Sequence, residues 1–197
     1  MKKLLFMATL AVFSIASAQD SKAYLGVSIG AAIPTGALAD NAESGLDIGI
    51  INAGYRFNET FGVTLNWGAS GHSGTDDYEG LDIGVGYLAV GPMISFGNFD
   101  FKPRYAISKA NLEGYSEELS IDVDIDLDVK TAFIIGGTYN MPLDGNWALA
   151  ANFDYFTFKS DNQTVQLEDS AGSLYDVKFD SATYNMLKMT IGIQYQF

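Results

Sequence analysis

The stretch of this sequence with the densest set of chemically active groups is IDVDIDLDVK, residues 121–130. Every second residue is an aspartate: Asp122, Asp124, Asp126 and Asp128. In an extended strand these carboxylates share one face, roughly 7 Å from one to the next. Carboxylates bind divalent cations, so a weak divalent-cation site is one hypothesis. The alternatives are a solvated strand face whose charge repels neighbouring molecules and a surface for a cationic ligand or partner.

A calcium-binding loop of the helix–loop–helix type also carries acids at alternate positions, but this stretch does not match it. Leu127 occupies the place where that loop needs glycine, and Ile and Val fill the gaps. We therefore expect residues 121–130 to form a strand.

The second candidate centre is His72, the only histidine, within GHSG. A lipid hydrolase would need His72 to take a proton from a serine such as Ser73, with Asp76 or Glu79 orienting the ring. Adjacent strand residues point to opposite faces, so His72 and Ser73 would not meet readily. The spacing matches no catalytic motif. We expect no enzymatic activity and no cofactor, and keep a membrane-embedded lipid-modifying hydrolase as an alternative.

The composition indicates an exported protein of one domain. Residues 1–18 have Lys2 and Lys3, an apolar run and a final Ala-Ser-Ala, which is typical of a cleaved signal peptide. The predicted mature domain is residues 19–197. Acids outnumber basic residues by 24 to 11, which makes nucleic acid an improbable partner. With no cysteine, the domain must be held together without disulfides.

The elements that would position these groups are strands, because apolar residues alternate with small or polar ones. The chain ends on Ile191, Ile193, Tyr195 and Phe197, separated by Gly or Gln. Similar patterns over 24–34, 46–57, 61–70, 81–96, 99–108, 129–139 and 147–155 give eight candidate strands. Residues 46–57 and 81–96 are apolar on both faces in places, and a β-bulge in each would explain this.

The connections predict the topology. Short links near 58–60, 97–98 and 141–146 alternate with links of about ten residues or more, as in an up-and-down meander. Residues 121–139 exceed the ~9–11 residues that a membrane strand needs, so this strand would continue beyond the bilayer.

The orientation of the faces decides between a soluble and a transmembrane barrel. Aromatic residues cluster at strand ends, as at the two membrane–water boundaries. Glycines and alanines accompany charges on the opposite face, as in a crowded interior. The sequence thus predicts an all-β, eight-stranded antiparallel up-and-down transmembrane β-barrel. Its interior would be filled by side chains, without an open pore. The interior charges would be Lys102, Arg104, Lys130, Asp154 and Lys188.

These features resemble the small outer-membrane β-barrel family of the OmpA/OmpX type over essentially the whole mature chain. The resemblance implies localisation in the bacterial outer membrane, a monomer, and contact with the lipid bilayer and lipopolysaccharide. It also implies that Tyr195 and Phe197 form the signal read by the barrel-assembly machinery. The expected function is non-enzymatic, in envelope structure or surface interaction. A soluble, secreted lipocalin-like ligand-binding barrel, with its apolar faces inside, is a further alternative.

Overall fold

The structure is a computed structural model that describes residues 23–75, 80–116, 121–168 and 174–197. The predicted signal peptide lies outside these ranges. The described residues form the strands β1 (Ala23–Thr35), β2 (Gly45–Arg56), β3 (Phe61–Ser73), β4 (Leu81–Phe96), β5 (Phe99–Phe101), β6 (Arg104–Ser116), β7 (Ile121–Leu127), β8 (Val129–Pro142), β9 (Trp147–Ser160), β10 (Gln163–Glu168), β11 (Leu174–Phe179) and β12 (Thr183–Gln196). A 3-10 helix spans Gly36–Leu38. No helix in the described ranges is long and apolar enough to cross a membrane.

The strands form a closed antiparallel ring. Of the described strands, β10 and β11 pair only with each other and lie outside the ring. In the ring, β5 and β6 together make one barrel strand and β7 and β8 another, and β9 pairs with β12, so the ring has eight strands. It closes where β1 pairs with β12, from Tyr24 opposite Gln196 to Thr35 opposite Asn185. A closed ring leaves no unpaired edge, which is the condition for crossing lipid with strands.

The gap between β5 and β6 follows from Pro103, which has no backbone N–H to donate. Lys102 N still donates to Gly136 O at 2.8 Å, so the barrel wall continues across the gap. The short turns, near Phe57, Gly97 and Gly145, lie at the same end of the barrel as Ala23 and Phe197, where Phe197 N donates to Ala23 O.

One of the two expected bulges is present. Between the pairs Gly26–Asn52 and Ser28–Gly49, β1 has one residue and β2 has two. The extra residue is at Ile50, and the pairing with β3 shifts there as well. The bulge reverses the phase of β2, which explains its apolar residues on both faces.

The pairings of β4 show no register shift, so the prediction of a bulge in residues 81–96 is wrong. This strand is apolar on both faces because its surroundings change along its length. Leu88 and Val90 are exposed on the outer wall, whereas Ile83 and Val85 are buried inside the barrel near the loop end.

The outer wall is apolar over a continuous band. Trp67, Phe133, Phe153 and Ile193 are 47%, 47%, 59% and 43% exposed. Aromatic side chains at the turn end form a lower belt: Phe57, Phe61, Phe96, Phe99, Tyr139, Trp147 and Phe197. An upper belt comprises Trp67, Tyr105, Phe133, Phe153 and Tyr155. The nine residues from Trp147 to Tyr155 make eight steps along a tilted strand and so rise about 20 Å, as expected for an outer-membrane band.

The polarity of the two faces reverses above this band. On β6, Ile107 is exposed outside and Ser108 is buried inside at membrane level. Further up the same strand, Glu113 is exposed outside and Leu112 is buried inside. The loop end of the barrel is therefore built like a water-soluble β-barrel, with an apolar core and a polar surface.

Candidate functional site

The barrel interior is the candidate functional region, and its polar part begins at the turn end. Asp100 is fully buried there and accepts hydrogen bonds from three side chains. Arg56 Nη2 lies 2.9 Å from Asp100 Oδ2, Ser95 Oγ donates to Oδ1 at 2.6 Å, and Asn140 Nδ2 donates to Oδ2 at 2.8 Å. A buried carboxylate is tolerated when it is paired and hydrogen-bonded in this way.

The next part of the network holds Lys102 and Arg104, which point inward. Lys102 Nζ donates to Thr138 Oγ1 at 2.9 Å and lies 4.9 Å from the centre of the Tyr24 ring. Arg104 forms an ion pair with Asp154 and donates from Nη1 to Asn66 Oδ1 at 2.8 Å. These contacts join opposite parts of the wall across the barrel.

A second buried ion pair lies nearby. Lys188 Nζ is 2.7 Å from Asp47 Oδ1, and both side chains are almost fully buried. Lys188 Nζ also lies 3.6 Å from the centre of the Tyr87 ring, which favours the cation through the negative face of the ring. The structure thus places Lys102, Arg104, Asp154 and Lys188 together in the interior network.

Lys130 does not join that network, and here the structure differs from the expectation. Its side chain is 61% exposed and pairs with Asp161 at 3.2 Å on the outside. The reason is a β-bulge: Val129 pairs with Ser160 and Thr131 with Lys159, so Lys130 is an extra residue. The bulge turns Val129 towards the core and Lys130 outward.

Two members of the network were missed by the sequence interpretation, Arg56 and Asp47. Both lie on β2, where the unlocated bulge hid which face each residue takes. The available signal was Asp47 itself, an acid between Leu46 and Ile48 in an otherwise apolar stretch. A charge in such a place needs a partner when its face is buried.

An apolar layer covers the charged network on the loop side. Tyr87, Phe156, Phe158 and Tyr184 form a chain of ring contacts with centroid separations of 5.3 to 5.5 Å. Buried aliphatic side chains complete this cap above the rings: Leu38, Leu81, Ile83, Leu112, Val123 and Ile125. The β10–β11 hairpin adds Val165, Val177 and Phe179. A cavity of about 40 Å³ remains within the cap, which is room for little more than water.

The aspartate strand lies in the water-facing part of β7. Val123 and Ile125 point into the core, while Asp124 and Asp126 are exposed, as is Asp128 just after the strand. The side chain of Asp122 lies outside the described set. Among the side chains that are described, no three His, Asp or Glu groups come close enough to hold a metal ion. The divalent-cation hypothesis for these four aspartates stays a prediction, because it includes Asp122.

His72 has a different partner from the one considered in the sequence. Its Nε2 lies 3.2 Å from Ser70 Oγ and its Nδ1 lies 3.0 Å from Glu43 O. Ser70 and His72 are both buried inside the barrel, whereas Ser73 is on the outer wall. Asp76 and Glu79 lie outside the described residues. The Ser70–His72 pair has the proton-transfer geometry of a hydrolase dyad but faces the packed interior, away from lipid.

Tyr195 and Phe197 lie on the outer wall at the turn end. The Tyr195 ring contacts Trp147 and Phe197, with centroids 5.0 and 5.1 Å apart. Asn146 Nδ2 donates to the Tyr195 hydroxyl at 3.2 Å. The last strand thus presents an aromatic cluster at the lower membrane boundary, beside the β1–β12 seam.

The fold has clear counterparts among solved structures. The chain is similar to a major outer membrane protein from Thermus thermophilus, at 14% identity and a TM-score of 0.58, covering 89% of this chain and 98% of that one. It is also similar to Neisserial surface protein A, at 13% identity and a TM-score of 0.50, covering 89% and 97%. No family model and no curated protein matches the sequence.

These likenesses, together with the closed eight-stranded ring and its apolar outer band, confirm the predicted fold. The chain thus has the fold of these outer-membrane barrels, a closed eight-stranded antiparallel ring with an apolar outer wall. The soluble lipocalin-like alternative is wrong, because its apolar faces would have to lie inside at the level where Trp67, Phe133 and Phe153 are exposed.

Proposed function

We propose that this protein is a non-enzymatic barrel of the bacterial outer membrane that contributes to envelope structure or surface interaction and has no open pore. The observation that carries the proposal is the two-part filling of the interior. Cross-wall ion pairs occupy the membrane level, and an apolar cap closes the loop side. An ion crossing this barrel would have to pass through a dry apolar layer, which is costly for any charge.

The part of the barrel that stands above the membrane supplies the surface for interaction. Its outer face carries exposed acids, including Asp82, Glu113, Asp124 and Asp126. Because its core is apolar and its strands are paired, this part is a rigid, negatively charged projection. Such a surface repels other acidic surfaces and attracts cationic groups.

The biogenesis of the protein completes the proposal. Residues 1–18 direct export, and the barrel-assembly machinery then recognises the strand that ends in Tyr195 and Phe197. The barrel is a monomer surrounded by phospholipid and lipopolysaccharide. The aromatic cluster on the outer wall at the end of β12 supports this role for the last strand.

The absence of an open pore is tested by measuring the ionic conductance of the refolded barrel in a planar lipid bilayer. The refolded barrel should show no channel steps in concentrated KCl, although it migrates as a compact, heat-modifiable species in detergent electrophoresis. A Phe156→Ala/Phe158→Ala variant, which thins the cap, is the matched control for detecting leakage. Regular conductance steps from the unaltered protein would contradict a closed interior.

The enzyme alternative has its own test. Ser70→Ala and His72→Ala should leave the lipid profile of the producing cells unchanged, because the pair faces the packed interior. Appearance of lyso-lipids that depends on both residues would establish a hydrolase instead.

A further inference from the structure

Three lysines face outward from the barrel wall just above the apolar band, and all three lie on the same side of the barrel. Of the described lysines and arginines, four point into the barrel and Lys178 lies on the β10–β11 hairpin. The others, Lys109, Lys130 and Lys159, are exposed on β6, β8 and β9, which are neighbouring strands. These three residues are called the lysine patch below.

The height of the lysine patch follows from the sequence of each strand. Its members are two to four residues above the last large apolar side chain that their strand exposes; these side chains are Ile107, Phe133 and Tyr155. On tilted strands this is about 5 to 10 Å. The headgroup region occupies roughly the first 5–8 Å beyond the hydrocarbon, and the long apolar stem of a lysine lets its ammonium group reach downward. The patch therefore lies at the level of lipid phosphates.

The charge of the outer wall changes sign above the lysine patch. The first exposed carboxylates on the same three segments are Glu113, Asp128 and Asp161, five or six residues above the same apolar side chains. This is about 12 to 15 Å above the apolar band on tilted strands. Each segment thus has the same order of outward side chains: apolar, then cationic, then acidic. Positive charge is concentrated at the phosphate level and negative charge lies beyond it.

The opposite side of the barrel has no such layer. On β3 and β4, the outward positions two and four residues above Trp67 and Leu88 hold only small, uncharged residues: Ala69, Gly71, Gly84 and Gly86. The cationic layer is therefore local to β6, β8 and β9 and is not a ring around the barrel.

A β-bulge adds one of the three cations. Lys130 is the extra residue between the pairs Val129–Ser160 and Thr131–Lys159, and it is turned outward for that reason. The bulge interrupts the hydrogen-bonded ladder and brings Lys130 beside Lys159, where like charges repel each other. Asp161 offsets this repulsion only in part, because both members of its ion pair with Lys130 are about half exposed.

The remaining two cations lack carboxylate partners. Lys109 and Lys159 make no ion pair with any residue in the described ranges. The exposed Thr131 is directly opposite Lys159 and supplies a hydroxyl donor beside the lysines. Neighbouring strands are about 4.8 Å apart, so β6 and β9 are separated by about 10 Å across the patch. This width suits a ligand with more than one anionic group.

We propose that the lysine patch binds the phosphate groups of lipopolysaccharide, an inference that deepens the proposed function and rests on its membrane location. The lipid part of lipopolysaccharide, lipid A, carries phosphate monoesters on its sugars directly above the acyl chains. A phosphate monoester carries about −1.5 to −2 charges at pH 7, which suits a cluster of lysines better than the single charge of a phospholipid diester. The acyl chains lie against the apolar band, beside Ile107, Phe133 and Tyr155.

The experiment reconstitutes the full barrel in phosphatidylcholine nanodiscs that contain equal amounts of lipid A with two phosphates and lipid A with one, with matched acyl chains. The lipids that stay bound after detergent release are counted by native mass spectrometry. EDTA is present throughout, so calcium cannot bridge the lipid to the acidic residues above the patch. Exposed ion pairs each change an affinity by up to about fivefold, and we expect a roughly threefold or larger preference for the lipid with two phosphates.

The variants separate the local patch from the net charge of the protein. Lys109→Gln/Lys130→Gln/Lys159→Gln should bring the two lipids to equal retention, whereas the matching triple substitution to arginine should keep the preference because the charges remain. Lys178→Gln is the control, because it removes an exposed lysine from the hairpin outside the ring and should leave the preference unchanged. A heat-induced mobility shift in detergent electrophoresis shows that each variant is folded.

Equal retention of the two lipids by the unaltered barrel would overturn the inference, as would a preference that survives the triple substitution to glutamine. A loss of preference in Lys178→Gln as large as in the triple variant would also overturn it, because net charge and not the patch would then select the lipid. Failure of the barrel to enter nanodiscs would instead contradict the membrane location, which separates the two proposals.

Discussion

The buried pair Lys188–Asp47 allows a quantitative test of the interior network. Replacing Lys188 by Met removes the charge and keeps a side chain of similar length, leaving Asp47 buried without its cation. Breaking a buried ion pair by removing one partner costs about 3–5 kcal/mol. The lost contact with the Tyr87 ring, 3.6 Å away, adds about 0.5–2 kcal/mol. We expect Lys188→Met to lower the free energy of unfolding by at least about 3 kcal/mol.

The assay is equilibrium unfolding of the barrel in lipid vesicles by guanidinium chloride, followed by tryptophan fluorescence. The double variant Lys188→Met/Asp47→Leu should recover most of the loss, because replacing both ions by apolar groups removes the uncompensated charge. A double-mutant cycle then gives the coupling energy of the pair.

The chain supplies a matched control in Lys130–Asp161, an ion pair of the same residue types that lies in water. Lys130→Met should cost no more than about 1 kcal/mol. If Lys188→Met cost as little as Lys130→Met, water would reach the interior pair, and the argument for a dry, closed barrel would fail.

Three further predictions concern the cap, the bulge and the last residue. Phe156→Ala should lower the free energy of unfolding by about 3–5 kcal/mol, measured by the same denaturant titration; a loss below about 1 kcal/mol would show that the cap is loosely packed. Deleting Ile50 removes the extra residue of the bulge and leaves Asp47 and Asn52 both facing the interior of a regular strand, so this variant should still refold in vesicles, whereas deleting Leu65 from the regular strand β3 turns either Thr64 or Asn66 towards lipid and should make the refolding yield collapse. Phe197→Ala should reduce the amount of barrel assembled in the outer membrane of cells but leave refolding into vesicles unchanged; an equal loss in both would assign Phe197 a purely structural role.

The number of strands, the direction of most of their faces and the class of the barrel could be predicted from the amino-acid sequence alone. These features follow from local rules: a strand shows its two faces with a period of two residues, and long links alternate with short ones in a meander. The inward direction of Lys102, Arg104 and Lys188 could be predicted in the same way. Arg104 and Lys188 lie in strands with an undisturbed period, and Lys102, in the gap between β5 and β6, keeps that period.

Features that depend on the register between strands, or on height in the barrel, required the three-dimensional structure. A single extra residue at Lys130 or Ile50 reverses the faces of the neighbouring residues, and nothing in the local composition marks where the extra residue falls. The partners of the buried charges come from strands far apart in sequence, such as Lys188 and Asp47. The apolar cap arises because the surroundings of the barrel change from lipid to water along each strand. At the level of lipid the inward-facing residues are charged or polar, and at the level of water they are apolar, as Phe156 and Phe158 are.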